Sequence, residues 1–431
     1  MKKLTIKINH VDKIEGHAGF VGDIINGDVA KAKFEVQIGI RLFERILLGR
    51  NFEDAAIITA RVCGVCPVVH YLTALKAIED ALGIKLKKEI IILRKLLMLG
   101  QIIQSHSLHT YFMSLGDFFG LKNNLDLAKK FPKWTNDALA VRDFGNELIF
   151  AIGRRSIHPV ALRVGGFRRE PDIKKLQKLS QEIDEIITCA KNLSLFFSKL
   201  KYPKFFRQTE FIALTQPKEY AIYDGQLISS GGLRVAARNF EKMIYESQVD
   251  EVNRIKGKDN QTFMAGALAR ININHKKLNS SAKSILKKSK ITLPSYNTFY
   301  NIFAQTVEIV HCLEEAKKLF AGCLTLFAVA KKNRQDNFLE KFNTKYKIKA
   351  GKGFAQIEAP RGTLYHTYQI DKNGKITWAN IITPTAIFIN NLEEDLKIYL
   401  PNLKKLSSAE RERKIKMLIR AYDPCITCSV H

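Results

Sequence analysis

The sequence predicts a mainly α fold with small β-sheets, α+β in class, and three observations carry that prediction. Glu89 to about Leu115, Asn136 to Ile152, Asp172 to Lys199 and Thr298 to Val329 hold apolar residues at helical spacing or all round, as the helices of a buried bundle do. Two Asn-Gly pairs, Asn26-Gly27 and Asn373-Gly374, sit between alternating runs, which marks hairpins. At 431 residues the chain can bury a large core, and no repeat, low-complexity segment or linker divides it. One domain over 1–431 is expected. It would have an N-terminal sheet and hairpin at 1–40 and a helical core at 41–200. A mixed insertion would follow at 201–297, then helices and a second hairpin at 298–431.

Taken in order, Leu4 to Ile8 alternates and reads as a strand. Phe20 to Ile25 and Ala30 to Ile38 are the arms of the first hairpin. In the second arm Ala30, Ala32, Phe34 and Val36 alternate with Lys31, Lys33, Glu35 and Gln37, so one face is buried. Glu15 precedes this hairpin and is expected at the edge of the small sheet. From about Leu42 the pattern turns helical, and Leu72, Leu75, Ile78 and Leu82 recur at helical spacing. Phe205 to Gly266 is mixed, with short strands. Thr363 to Ile370 and Ile376 to Ile382 are the arms of the second hairpin. Ser407 with Glu410 is a capping box opening a last helix to Ile419, and Pro424 follows where that helix must have ended.

Composition narrows the function. No apolar uncharged stretch reaches the ~18 residues of a membrane span, so no transmembrane segment is expected. The start, Met1-Lys2-Lys3, runs straight into a strand with no signal-peptide core, which points to the cytoplasm. The net charge is +27, but the lysines are spread along the chain with no aromatic-interleaved basic stretch. They read as solvated helix faces, and nucleic acid is not an expected partner. Of seven cysteines, Cys189, Cys312 and Cys323 lie in helical, apolar surroundings and read as buried free thiols of a reducing compartment.

The other four carry the chemistry. Arg61-Val62-Cys63-Gly64-Val65-Cys66 is followed by His70, and Asp423-Pro424-Cys425-Ile426-Thr427-Cys428 is followed by His431. Two-residue spacing lets both sulfurs of a pair reach one ion, and four thiolates suit zinc, iron or nickel. A structural zinc site is the plain alternative, but zinc modules bring their ligand pairs close in sequence to hold a small domain together. A thioredoxin-like pair would account for only one of the motifs. The first pair sits directly before a helix, where the dipole favours thiolate.

Arg-x-Cys-Gly-x-Cys-x-x-x-His near the start and Asp-Pro-Cys-x-x-Cys-x-x-His at the end resemble the two signatures of nickel–iron hydrogenase large subunits. The resemblance runs from Lys13-Ile14-Glu15-Gly16-His17 through Ala359-Pro360-Arg361-Gly362 to His431, and the compact length is most similar to the cytoplasmic, bidirectional sulfhydrogenase-alpha branch. Lys13 stands where the family usually has arginine. The resemblance implies a buried long-helix bundle of the large-subunit type and reversible heterolytic cleavage of H2 to protons and electrons. Rival readings within the same fold are a hydrogen sensor or a structural relative from a respiratory complex.

Residue by residue, the resemblance implies Cys63 and Cys425 as terminal nickel ligands. Cys66 and Cys428 would bridge nickel to an iron that carries carbon monoxide and cyanide. His70 would donate to a bridging sulfur. Arg361 would lean over the open nickel position, held by Asp117 and also by Asp423. Pro384 and Thr385 would surround the iron's diatomic ligands, and Glu15 would gate the proton. Glu44, His431 and the carbonyl of Ile381 would hold magnesium. With four cysteines at this site, the other three lack iron–sulfur spacing. Electrons therefore need a partner: an iron–sulfur small, delta-type subunit, with diaphorase-type subunits beyond it. A histidine at the chain end implies a mature form, or one made without an extension.

Overall fold

The structure is a computed structural model, and it describes residues 3–39, 41–249, 252–258, 260–332, 340 and 342–430. At the N-terminus Lys3–Ile8, Ala18–Ile25 and Asp28–Val36 form an antiparallel sheet with the Ala18–Ile25 strand in the middle. The expected Asn26-Gly27 turn closes the hairpin, with Asn26 at φ 49° and Gly27 at φ 104°. Ala32 and Phe34 are the buried positions of the outer arm, and Ala30 is exposed because a bulge at Asp23/Ile24 shifts the register beside it. Glu15 is not on a sheet edge. It lies before the central strand and pairs in parallel with Cys425, with Ile426 N donating to Glu15 O at 2.9 Å. Gly16 permits this approach: its φ is +84°, and a Cβ there would stand 2.7 Å from Ile426 Cβ.

The bundle is formed by Lys88–Ser107, Pro132–Gly153, Ile173–Phe197 and Tyr300–Lys332. Lys88–Ser107 is buried along most of its length, as its apolar circumference predicts. Ile173–Phe197 is not apolar all round. Leu176, Leu179, Ile183, Ile187, Ala190, Leu193 and Phe197 make one buried stripe, and the other face is solvated. The helix expected to run to Leu115 ends at Ser107, and Leu108–Ser114 continues as a π-helix. The wider turn brings Ser114 Oγ to His109 Nε2 at 3.1 Å, an i,i+5 contact that an α-helix does not offer. Cys312 and Cys323 are buried as expected. Cys189 is half-buried, packed against the core at the edge of the stripe.

The helix Pro67–Leu82 carries the first cysteine pair at its start and packs on Gly351–Ala359, a strand absent from the sequence reading. That strand pairs with Gly362–Ile370, which pairs with Ile376–Ile382, so the second hairpin is part of a three-stranded sheet. Between the first two strands, Pro360-Arg361 is a two-residue turn, and Gly362 leaves it at φ +133°. A Cβ on Gly362 would lie 2.6 Å from Ala265 Cβ. The turn can thus sit deep in the core with Arg361 at its tip. Helix Ser408–Ala421 opens on the Ser407 cap, Glu410 N donating to Ser407 Oγ at 3.3 Å, and delivers the second pair.

A buried ion pair clamps the first cysteine helix to the bundle. Arg94 gives Nη1 and Nη2 to the two Glu79 oxygens, both at 2.7 Å, and Gly165 N adds a third bond to Glu79 at 2.8 Å. Glu79→Ala leaves a buried, unpaired guanidinium. Chemical denaturation is expected to show a loss of about 3–5 kcal/mol; a change within about 0.5 kcal/mol, as at a plain surface site, would contradict the clamp.

Candidate metal centre

Both cysteine pairs sit at chain turns that end or begin helices. Cys63 follows the 3-10 turn Ala60–Val62, and Cys66 caps Pro67–Leu82, whose first residue is a proline with no N–H to satisfy. Cys425 caps the short helix Ile426–Ser429, and Asp423 turns the chain into it at φ 54°. Arg41 ties the two loops together, its Nη2 donating to the carbonyls of Val62 and Thr427. The sulfurs meet: Cys63 and Cys425 are 3.4 Å apart, Cys66 and Cys428 3.5 Å, Cys425 and Cys428 2.9 Å. All four lie within 4.8 Å of one another, and all are buried.

Sulfurs this close cannot all be anions unaided. Burial pushes the Cys425 and Cys428 thiols well up. Burial also opposes charge on Cys63, but hydrogen bonds from the other three thiols and the Arg361 charge outweigh it and hold Cys63 well below the usual range. Cys66 is lowered by bonds from Cys425 and Cys428, yet Cys63 and burial leave it raised. The four sulfurs titrate together as one group, and burial holds that group short of full ionisation. A soft cation removes the conflict, since thiolate ligands bind deprotonated.

The cavity beside the sulfurs is only about 10 Å³ and is lined by Cys66, Cys425, Cys428, His70, Arg361, Pro384 and Thr385, so the expected site residues do converge. Arg361 donates from Nε to Asp423 O at 2.8 Å, and its Nη2 forms an ion pair with Asp423 Oδ1 at 2.9 Å. Its Nη1 is buried with no partner among the described residues. The Asp423 charge, acting against burial, keeps this guanidinium protonated. Gln305 donates to the other Asp423 oxygen at 3.1 Å, and His109 of the π-helix bonds Gln305 at 2.5 Å. Asp117 does not hold Arg361: its carboxylate pairs with Arg420 at 2.5 Å. The reason is tertiary. Asp117 lies beyond the π-helix, whose wide turn places it against Ser408–Ala421 and leaves Asp423 as the arginine's carboxylate.

Thr385 Oγ1 accepts from Cys425 N at 3.1 Å, and Pro384 opens the helix Pro384–Tyr399 beside it. Glu15 accepts from Thr427 N at 3.0 Å and Thr427 Oγ1 at 2.6 Å, and Cys425 Sγ stands 3.1 Å from its Oε2. Burial raises the Glu15 carboxyl, and the nearby Cys63 charge raises it further. His70 Nε2 is 3.5 Å from Cys428 Sγ. Glu44 is half-buried at the start of Phe43–Leu47, and Ile381 is buried on the last sheet strand. His431 lies outside the described residues. Sequence reasoning assigned no role to Arg41, Gln305, His366 or Tyr368. The sole signal for the last two was their i,i+2 spacing on a strand after the Arg361 turn.

Comparison with known proteins agrees with this geometry. A family described as nickel-dependent hydrogenase matches residues 41–138 and 253–431. The chain is 32% identical over 438 residues to sulfhydrogenase 1 subunit alpha of Pyrococcus furiosus, covering 99% of this chain and 98% of that one. It is 30% identical over 432 residues to sulfhydrogenase 2 subunit alpha of the same organism, covering 99% of each. The fold matches a crystal structure of an NAD+-reducing [NiFe]-hydrogenase at TM-score 0.87 and 22% identity, covering 100% of both chains. The chain belongs to the nickel-dependent hydrogenases, an oxidoreductase family, and its buried four-cysteine group fits their nickel–iron site. Among the described residues no helix is long and apolar enough to cross a membrane.

Because a cation would relieve the sulfur–sulfur repulsion, metal binding should order the C-terminal segment. Limited proteolysis is expected to cut between Asp423 and Val430 faster in metal-stripped protein than in nickel-loaded protein. Equal resistance would show that packing alone holds the segment.

Proposed function

We propose that this chain is the catalytic subunit of a nickel–iron hydrogenase that splits H2 reversibly and heterolytically and passes the electrons to an iron–sulfur partner. The observation that carries it is the meeting of four buried cysteine sulfurs beside a buried arginine whose Nη1 has no partner among the described residues. Cys63 and Cys425 would be terminal nickel ligands, and Cys66 and Cys428 would bridge to an iron with carbon monoxide and cyanide. That group, when bound, supplies the two-electron chemistry of H2. Glu44, the Ile381 carbonyl and His431 would hold magnesium, a set of oxygen and nitrogen donors that leaves room for waters.

The protein's part is to fix charge and move the proton. Arg361, oriented by Asp423, presents a positive donor to the cavity and excludes water from it. Pro384 and Thr385 line the cavity with Cys66, Cys425 and Cys428, and Thr385 also fixes the Cys425 backbone. Glu15 Oε2 lies within reach of Cys425 Sγ and takes the proton there; its raised carboxyl pKa brings it nearer the range where it can accept and release one. Glu15 is half-buried, so it can pass the proton outward. For electrons, the group of metal-ligating residues found among the described residues is the four-cysteine site itself, and Cys189, Cys312 and Cys323 stand apart on two helices. Electrons therefore leave to an iron–sulfur small subunit, and from there to diaphorase-type subunits. The subunit-alpha status of the Pyrococcus relatives supports a multi-subunit enzyme. Seven free cysteines suit the reducing cytoplasm.

The test is hydrogen–deuterium exchange between D2 and water by the assembled complex. Wild type should exchange. Glu15→Gln should keep its metal content and lose exchange by about 10²–10⁴-fold, the span for a positioned acid or base. No exchange by fully metallated wild type would refute the activity, and normal exchange by the variant would refute Glu15 as the gate.

A further inference from the structure

Behind the Cys428 sulfur the structure holds a line of buried polar side chains that continues past His70 to two residues the roles above do not use. Cys428 Sγ lies 3.5 Å from His70 Nε2, His70 Nδ1 lies 3.3 Å from His366 Nε2, and His366 Nδ1 lies 2.8 Å from the Tyr368 hydroxyl. The two histidine rings are 5.4 Å apart at 50°, and His70, His366 and Tyr368 are at most 1% exposed. Two-residue spacing on the strand Gly362–Ile370 puts His366 and Tyr368 on one face.

Each link has two possible directions, and the metal decides between them. A sulfur that bridges two metals, as Cys428 would and the terminal Cys425 would not, carries no proton, so the first bond must run from His70 Nε2–H to sulfur. A neutral imidazole has one N–H, so His70 Nδ1 is then an acceptor. The donor facing it is His366 Nε2–H. By the same rule His366 Nδ1 accepts, and the Tyr368 hydroxyl must give it the hydrogen. Tyr368 suits that place. Burial raises its phenol well above the usual range, the Glu44 charge raises it further, and it stays protonated.

We propose that His366 and Tyr368 are positioning residues that lock His70 as a hydrogen-bond donor to the Cys428 sulfur. A phenol two side chains from the metal centre thereby tunes the electron density at Cys428. The inference rests on the nickel–iron reading above, with Cys428 bound to iron. A donor on that sulfur draws charge from it. Loss of the donor leaves more charge on sulfur and iron, and an iron-bound carbon monoxide then vibrates at lower wavenumber. Orienting groups of this kind are conditioned by their own partners, and their loss typically costs about 10–100-fold in activity or metal affinity.

The experiment is infrared spectroscopy of the assembled, metal-loaded complex carrying Tyr368→Phe. Tyr365→Phe, which removes a buried hydroxyl from the same strand, is the control. Tyr368→Phe is expected to shift the carbon monoxide and cyanide bands to lower wavenumber and to lower turnover about tenfold. Tyr365→Phe is expected to leave the bands in place. Bands present but unmoved in Tyr368→Phe, or moved equally by both variants, overturn the proposal. Absence of the bands from wild type overturns the nickel–iron reading and this inference with it. If Tyr368→Phe does not take up metal, ring-¹⁵N histidine NMR of the wild-type complex decides. His70 and His366 should each carry the proton on Nε2, and an Nδ1–H on either contradicts the proposal.

Discussion

Four sulfurs within 4.8 Å of one another in a dry interior are the constraint on which the rest of the structure depends. Alone they repel as thiolates or bury unsatisfied thiols, and either state opposes folding of the segments that carry them. The fold answers with positive charge and with rigidity. Arg361 enters on a two-residue turn, Arg41 binds the carbonyls of both cysteine loops, and the chain's last helix docks beside the N-terminal sheet through Glu15. The Arg41 and Glu15 contacts join residues from the two ends of the chain, so the geometry of the four sulfurs depends on contacts distant in sequence.

Placing so much charge inside requires partners for each group, since an unpaired buried ion is far more costly than a paired one. Arg270 shows the pattern near the site. It is bound by Glu308 at 2.7 Å and Glu358 at 3.0 Å, and gives further bonds to the carbonyls of Ala359 and Pro360. Those carbonyls belong to the turn that carries Arg361, so the network fixes the arginine's backbone while Asp423 fixes its head. Glu79 and Arg94 do the same for the first cysteine helix. Such networks add little net stability over apolar packing, but they hold one geometry, and the site needs one geometry.

Much of this was legible in the sequence. Helical spacing located the bundle, the Asn-Gly turns located both hairpins, and Ser407 with Glu410 located the start of the last long helix. The cysteine spacing located the site, because ligand chemistry depends on residue type and separation more than on tertiary context. What escaped was set by contacts between distant segments. The π-helix has the apolar composition of the α-helix before it, so nothing local marks the change. Asp117 was assigned to Arg361, but the turn geometry gives it to Arg420. Glu15 looked like an edge residue because its partner, Cys425, is at the other end of the chain. His366 and Tyr368 alternate on a strand buried on both faces, where period two reads as ordinary core.

The central claim is that both cysteine pairs close on one nickel–iron centre. Metal analysis of the purified complex, with X-ray absorption at the nickel edge, tests it most directly. The expected result is nickel bound to a shell of sulfur ligands, one nickel per chain, lost when Cys63 or Cys425 is replaced by serine. Zinc in place of nickel, or nickel with a nitrogen and oxygen shell that survives both substitutions, would contradict it.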